Sequence, residues 1–340
     1  MIPNLTPLAQ ACWKRELAAA YRKPQDLLAA VGLEDHQQAL AKKGQQQFPL
    51  LVPRGFAARM RHGDANDPLL RQVLPLAEED HDTPGFVADP VGDGQAQAAP
   101  GVLHKYHGRV LLIATGGCAV NCRYCFRRHF PYAEARAGTR RWAAELQYLR
   151  RHPDISEVIL SGGDPLLLDT PALQALSRAL EGIEHIKRLR IHSRLPVVLP
   201  ERIDADFVDW AANLKLPLTL VIHSNHIQEL DASMAQALAA QRQAGVTLLN
   251  QAVLLAGINN TLDAQCALAE GLFEHGVLPY YLHQLDPVQG AAHFAVSDQQ
   301  ALRLHQQMRE HLPGYLLPEL VSEIQGERSK TPLATTADAY

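Results

Sequence analysis

The amino-acid sequence predicts an α/β fold, a partial parallel (β/α)6 barrel that follows a helical N-terminal region. Short apolar, β-branched runs begin at residues 109, 157, 187, 217, 247 and 278. Amphipathic segments with helical spacing, such as TPALQALSRALEGI, lie between these runs. One strand in roughly thirty residues is the spacing that a right-handed βαβ repeat requires. A doubly wound parallel sheet is the alternative fold.

The first hundred residues have a different pattern. Ala, Leu, Gln and Arg recur there at helical spacing, as in QDLLAAVGL, and the Pro- and Gly-rich segment DTPGFVADPVGDGQAQAAPG follows as a long loop. The pattern therefore predicts three parts. They are a helical N-terminal region with a connecting segment over 1–101, the barrel over 102–295 and a C-terminal segment over 296–340.

Composition limits the class of protein. The chain has 340 residues, of which 47% are hydrophobic and 20% charged, and its formal net charge is -4. These values are typical of a soluble globular enzyme and give no reason to expect nucleic acid or an anionic membrane as partner. The five cysteines are an odd number, three of them clustered, which does not suggest a disulfide framework. Together with the absence of a recognisable signal peptide, this predicts a cytoplasmic protein.

The segment GGCAVNCRYCFRRHF carries Cys118, Cys122 and Cys125 with C-x3-C-x2-C spacing. Three thiolates this close in sequence can converge on one metal centre. One interpretation is a zinc site with His129 as fourth ligand, because structural zinc usually has four protein ligands. The other is a four-iron cluster with one iron left open for a non-protein ligand. Three unrelated core cysteines would not explain the crowding.

With Tyr124 directly before its last cysteine, this motif resembles the radical S-adenosylmethionine (radical SAM) superfamily. LSGGDPL resembles the superfamily's glycine-rich element that contacts the methionine amino group. The resemblance implies a partial α/β barrel and a [4Fe-4S] cluster held by the three cysteines. It also implies S-adenosylmethionine contacts from Tyr124, Gly162, Gly163, Asp164, Ser193, Arg194 and Gln251.

Further segments, including GERSKTPL and PYYLHQLDPVQGAAHF, resemble the lysine 2,3-aminomutase family and its shorter branch that serves elongation factor P. The resemblance implies conversion of L-lysine to β-lysine, in the R form, with pyridoxal 5'-phosphate as a further cofactor. Lys330 would form the Schiff base with this cofactor, although a lysine in a polar segment is otherwise only a solvated charge. The phosphate would be held by Lys105, Tyr106 and Arg109.

The same resemblance implies how the substrate is held. Arg127 would pair with the lysine carboxylate, while Asp286 and Glu323 would hold the side-chain ammonium. The family usually has Asp where this chain has Glu323. Two carboxylates around one buried ammonium are physically reasonable, because a buried charge needs compensation. Alternatively, Arg123, Arg127 and Arg128 would form a basic patch for nucleic acid.

Other expectations also come from the resemblance. An external electron donor would be required, elongation factor P and its lysyl ligase would be the downstream partners, and the chain could form a homo-oligomer. His223 and His226 are interpreted as packing or cofactor contacts rather than metal ligands. No zinc is expected at the C-terminus. The alternatives from other classes are a radical enzyme without pyridoxal phosphate and a non-catalytic iron–sulfur or zinc-binding module.

Overall fold

The computed structural model describes residues 12–132 and 142–333, and within them ten strands form one sheet in chain order. The strands are β1 Gln97–Ala99, β2 Val102–Tyr106, β3 Arg109–Thr115, β4 Glu157–Gly162, β5 Arg188–Ser193, β6 Leu218–Ile222, β7 Thr247–Val253, β8 Leu278–His283, β9 Glu319–Ser322 and β10 Thr331–Pro332.

The α-helices are α1 Cys12–Ala18, α2 Pro24–Ala30, α3 Lys43–Gln47, α4 Arg54–Ala57, α5 Pro68–Arg71, α6 Ala143–Arg151, α7 Thr170–Glu181, α8 Leu195–Val198, α9 Ala205–Ala212, α10 Ala232–Gln243, α11 Leu262–Glu274 and α12 Asp298–His311. Short 3-10 helices span Glu34–Ala39, Ala77–Asp80, Pro165–Leu167, Pro200–Arg202, Ile227–Glu229, Ala292–Phe294 and Gly314–Leu316. No helix in these described ranges is long and apolar enough to cross a bilayer.

Seven consecutive strands, β3 to β9, are parallel, and each pairs with the next in sequence. The six predicted strands are confirmed as β3 to β8. The doubly wound alternative is wrong, because the strand order never reverses as a switch point would require. β9 was not predicted, since a four-residue strand offers too little periodicity to detect.

The sheet curves so that its two ends approach each other. β1, β2 and β10 add antiparallel pairs at the ends. Lys105 on β2 lies 3.2 Å from the carboxylate of Glu323, directly after β9. Residues from strands across the sheet line one cavity. This curvature confirms the predicted partial barrel.

The helices cover the outer surface of the sheet and begin at defined caps. An Asp, Thr or Ser side chain accepts a backbone N–H at the start of several helices, which satisfies one of the donors left free in the first turn. These caps are Asp169, Asp204, Asp231, Thr261 and Ser297.

One continuous apolar core extends from the N-terminal helices to β9, and it includes Trp13, Leu112, Phe207 and Leu320. The N-terminal helices are therefore packed directly on the barrel. The division at residues 101 and 295 stays a prediction.

Candidate active site

The seventeen residues that the resemblance assigned to the cluster, the cofactors or the substrate all line one cavity of about 310 Å³ at the carboxyl ends of the parallel strands. This end of a parallel barrel is where loops converge and where catalytic groups of such folds gather. The individual roles of these residues stay predictions. The residues concerned are Lys105, Tyr106, Arg109, Cys118, Cys122, Tyr124, Cys125, Arg127, Gly162, Gly163, Asp164, Ser193, Arg194, Gln251, Asp286, Glu323 and Lys330.

The cysteine loop turns its three thiols toward this cavity. The backbone N–H of Cys125 donates to the carbonyl of Cys122 at 3.0 Å, which closes a tight turn between them. Burial and the neighbouring thiols raise the pKa of Cys118 well above its usual value, and burial followed by Cys122 raises the pKa of Cys125 to about 11. Thiols that resist ionisation in this way need a cationic centre to become thiolates.

Three cysteine donors fit an iron–sulfur cluster with one iron open to another ligand. His129 lies elsewhere: its Nε2 is 3.4 Å from the backbone oxygen of Gln289, outside the residues that line the cavity. The structure therefore does not bring His129 to the cysteines as a fourth zinc ligand.

Arg194 connects the cysteine loop to the N-terminal region. Its Nη1 donates to the sulfur of Cys122 at 2.7 Å and to the hydroxyl of Tyr124 at 2.6 Å. Its Nη2 lies 2.7 Å from the side-chain oxygen of Gln72 and 3.1 Å from the carboxylate of Glu229. Sequence reasoning missed Gln72 and Glu229, which are both buried. Arg194 therefore contacts one of the three predicted cluster ligands directly.

The glycine-rich element joins β4 to the neighbouring strand β5. The Asp164 carboxylate accepts hydrogen bonds from the Ser193 hydroxyl at 2.7 Å and from the backbone N–H of Arg194 at 2.8 Å. The N–H groups of Leu166 and Leu195 donate to the same carboxylate. These four bonds occupy both oxygens, so in this structure Asp164 holds the ends of the two strands together.

A line of alternating charges crosses the cavity. Arg127 Nε lies 2.6 Å from Asp93, and Asp93 lies 2.7 Å from Lys105. Lys105 lies 3.2 Å from Glu323, whose other oxygen lies 2.7 Å from Lys330. The chain of contacts therefore joins the predicted carboxylate, phosphate and ammonium sites and the predicted cofactor lysine.

Asp93 is the central group that sequence reasoning missed. It lies in the Pro- and Gly-rich loop, where the Asp89 side chain accepts the N–H groups of Asp93 and Gly94 and so fixes a tight turn. Only 1% of Asp93 is exposed. Although burial opposes ionisation, Arg127 and then Lys105 lower the pKa of Asp93. The only sequence signal was the clustering of Asp with Gly and Pro, which is equally typical of any surface turn.

The two predicted ammonium acids have opposite properties. Burial opposes ionisation of Glu323, but Lys330, and then Lys105 and Tyr106, lower its pKa to about 2. Burial raises the pKa of Asp286 to about 7, a rise that Lys330 opposes and Glu323 increases. Of the two predicted ammonium acids, Glu323 is therefore firmly ionised, whereas Asp286 titrates near neutrality.

Three histidines line the cavity, and the sequence analysis identified only one of them, His223. His192 and His283 lie on β5 and β8, and their Nε2 atoms have no hydrogen-bond partner among residues 12–132 and 142–333. Burial lowers the pKa of both rings, and it lowers the pKa of the neighbouring His223 to about 3. His226 instead accepts the backbone N–H of Gln228 through Nδ1. The first three are therefore neutral cavity groups, whereas His226 has a local structural role.

The alternative of a basic nucleic-acid patch is wrong. Arg123 is 0% exposed and Arg128 is 8% exposed. Both pair with the buried carboxylate of Glu79. Arginines that are removed from solvent and neutralised in this way offer no charge to a phosphate backbone.

The sequence profile of the radical SAM superfamily matches residues 112–205. The chain is 49% identical to the L-lysine 2,3-aminomutase of Escherichia coli K12 over 333 residues, which cover 98% of this chain and 97% of that protein. It is 44% identical to the protein of the same name from Haemophilus influenzae, over 94% of each chain. The namesake from Acetoanaerobium sticklandii is 30% identical, over 94% of this chain and 78% of that protein.

Proposed function

The chain belongs to the L-lysine 2,3-aminomutase family of radical SAM enzymes, and from this we propose that it converts L-lysine to β-lysine with pyridoxal phosphate as its second cofactor. Members of the family are isomerases that use a [4Fe-4S] cluster and S-adenosylmethionine. The observation that carries the proposal is that Lys330 and the three cysteines line a single cavity, although most of the barrel separates them in sequence.

The cavity fits both cofactors chemically. Three thiols are available for the cluster, and a lysine with two further cations and a tyrosine is available for a phosphorylated aldehyde. When bound, the cluster and S-adenosylmethionine supply the radical that abstracts hydrogen, and pyridoxal phosphate carries the migrating amino group. Cys118, Cys122 and Cys125 would hold the cluster. Lys330 would anchor pyridoxal phosphate, with Lys105, Tyr106 and Arg109 at its phosphate.

Arg127 would orient the substrate through its carboxylate. Its Nε is occupied by Asp93 at 2.6 Å and its Nη1 by Ser161 at 3.2 Å. These two contacts fix the plane of the guanidinium, so the remaining donors would meet a carboxylate in one orientation. A single substrate orientation is necessary for radical chemistry, because the hydrogen to be removed must lie next to the radical carbon.

Asp286 and Glu323 would hold the far end of the substrate. A lysine side chain carries its charge four carbons from the α-carbon, and the presence of two carboxylates in the same cavity supports this role, because a buried charge needs compensation. The neutral rings of His192, His223 and His283 add no further cation to compete with it. A substrate with an apolar or acidic side chain would bring no cation to the carboxylate of Asp286.

We also propose that the product is the R form and that a separate ligase attaches it to elongation factor P. The similarity of the N-terminal segment to the short branch of the family supports this downstream role. The free state of all five cysteines supports a cytoplasmic location, where an external donor would reduce the cluster.

The decisive test is a product assay. Anaerobically reconstituted protein would be incubated with L-lysine, S-adenosylmethionine, pyridoxal phosphate and a strong reductant, and the amino acids would be separated on a chiral column. We expect (R)-β-lysine, with none formed when pyridoxal phosphate is omitted. An intact cluster that cleaves S-adenosylmethionine without forming β-lysine would contradict the proposal.

Lysine affinity is expected to fall as the pH drops below about 7. The carboxyl of Asp286 has a pKa raised to about 7, so it is protonated below that pH and then cannot pair with an ammonium. The dissociation constant should therefore rise about tenfold per pH unit on the acidic side and level off on the basic side. Calorimetric titrations between pH 5.5 and 8.5 would show this.

Asp286→Asn is the matched control, because its amide does not titrate in this range. The variant should bind lysine weakly at every pH, without the break near 7. If the dissociation constant of Asp286→Asn changed with pH in the same way as that of wild type, the titrating group would be a residue other than Asp286.

A further inference from the structure

Two cations hold Glu323, one at each oxygen. Its Oε1 lies 3.2 Å from the ammonium of Lys105, and its Oε2 lies 2.7 Å from that of Lys330. The hydroxyl of Tyr106 adds a further hydrogen bond that favours the ionised form. An ammonium that enters this cavity would thus find both oxygens of Glu323 already engaged.

Asp286 is the open member of the acid pair. Its side chain has no ion pair or hydrogen bond among residues 12–132 and 142–333, although it faces the same cavity. A buried ammonium needs more than one neutralising contact to offset its loss of water. Asp286 alone is therefore an incomplete site.

Lys105 has three partners, and Glu323 is its most distant one. The Lys105 ammonium lies 2.7 Å from Asp93 and 2.8 Å from the backbone oxygen of Val91, against 3.2 Å from Glu323. Asp93 and Val91 hold the lysine from one side. A new anion would therefore displace the contact to Glu323 first.

Arg109 is the second cation at this end of the cavity. It lies over the ring of Tyr106, 4.8 Å from its centroid, and has no carboxylate partner among the described residues. A phosphate placed between Arg109 and Lys105 would carry nearly two negative charges and would attract Lys105 more strongly than a single carboxylate does.

We propose that Lys105 couples the two ends of the cavity: a phosphate group draws it away from Glu323, and the freed oxygen then accepts the ammonium of the substrate. This inference rests on the proposed function. Phosphate and amine consequently bind with positive cooperativity. By thermodynamic linkage, each ligand raises the affinity of the protein for the other by the same factor. The cofactor-free protein has the weaker amine site.

The test uses two probes that cannot react with each other or with the protein. Pyridoxine 5'-phosphate supplies the phosphate but has no aldehyde, and 6-aminohexanoate keeps the carboxylate and distal ammonium of lysine but lacks its 2-amino group. Titration calorimetry would give the dissociation constant of 6-aminohexanoate with and without saturating pyridoxine 5'-phosphate. We expect it to fall about tenfold when the phosphate is bound.

Two variants separate the exchange from a general charge effect. Lys105→Met should bind 6-aminohexanoate without phosphate about as tightly as phosphate-saturated wild type does. Arg109→Met is the matched control: it removes a cation from the same end of the cavity, but one that does not contact Glu323. It should weaken the binding of pyridoxine 5'-phosphate, and in the phosphate-free protein it should tighten amine binding much less than Lys105→Met does.

Equal amine affinity in wild type with and without bound pyridoxine 5'-phosphate would overturn the inference. The inference would also be overturned if Arg109→Met tightened amine binding as much as Lys105→Met does. A failure of 6-aminohexanoate to bind, with or without the phosphate, would overturn it as well. The product assay is independent of these outcomes. Formation of β-lysine without coupling defeats only this inference, whereas coupling without β-lysine defeats only the proposed function.

Discussion

Replacement of Lys330 with methionine is expected to lower β-lysine formation on the order of 10³-fold or more, because methionine has no amine that could form the proposed Schiff base with the cofactor. The Lys330 ammonium lies in the cavity 2.7 Å from Glu323 and 5.7 Å from the centre of the Tyr281 ring. Reduction with borohydride followed by mass spectrometry should locate pyridoxal phosphate on Lys330 in wild type and on no residue in the variant.

Lys330→Arg is the informative companion. An arginine retains the positive charge beside Glu323, so this variant should keep the fold and the ion pair while losing covalent attachment as completely as Lys330→Met. Lys187→Met serves as control, since the Lys187 ammonium donates to the backbone oxygen of Glu184 at the exposed surface, away from the cavity. Covalent cofactor on a different lysine of active Lys330→Met protein would show that the assignment is incorrect.

Replacement of Gly163 with alanine is expected to destabilise the protein by about 3 kcal/mol and to prevent cluster assembly. A Cβ at this position would overlap the carbonyl oxygen of Gly117 and would lie 2.7 Å from its carbonyl carbon. The backbone N–H of Gly163 is already bonded to Thr115 at 2.7 Å, so the two segments cannot separate without loss of that bond. Because Gly117 directly precedes Cys118, any relief of the overlap moves a predicted cluster ligand.

Urea unfolding and iron content would measure the two effects of Gly163→Ala. Gly55→Ala is the matched control, because a Cβ at Gly55 would have nothing within 4 Å and the residue lies in α4. That variant should have unchanged iron content and a stability equal to or slightly above wild type. A Gly163→Ala protein with normal stability and full iron content would mean that the backbone at Gly117 adapts freely.

Local patterns in the sequence were sufficient for the barrel strands. β3 spans the whole predicted run RVLLIAT, and β4 to β8 lie in the other predicted runs. β3 and β4 are largely buried and apolar over most of their length, which makes them visible in the sequence. β5 and β7 alternate between buried and more exposed residues, which is the second pattern that a local sequence window reveals. The C-terminal strands β9 and β10 are short, and their pairing depends on partners that no local pattern indicates.

The candidate site likewise contains residues that a local pattern predicts and residues that only the fold brings together. The three cysteines form a recognisable motif because they lie close together on one loop, so their spacing is itself the signal. Asp93 and Glu323 have no such spacing. The contact between Lys105 and Glu323 joins positions 218 residues apart, and no motif predicts a pair at that separation.

The sequence alone therefore determined the positions of the barrel strands, the cysteine loop and the lysine that resembles a cofactor anchor, because each depends on residues that are near neighbours or regularly spaced. The order of the strands was decided by the structure. The curvature of the sheet decided the remaining features. It placed Lys105 of β2 against the end of β9, brought Asp93 between Arg127 and Lys105, and turned His192 and His283 into the cavity. Contacts of this kind depend on how the chain closes in space, and burial then sets the protonation of the groups that meet there.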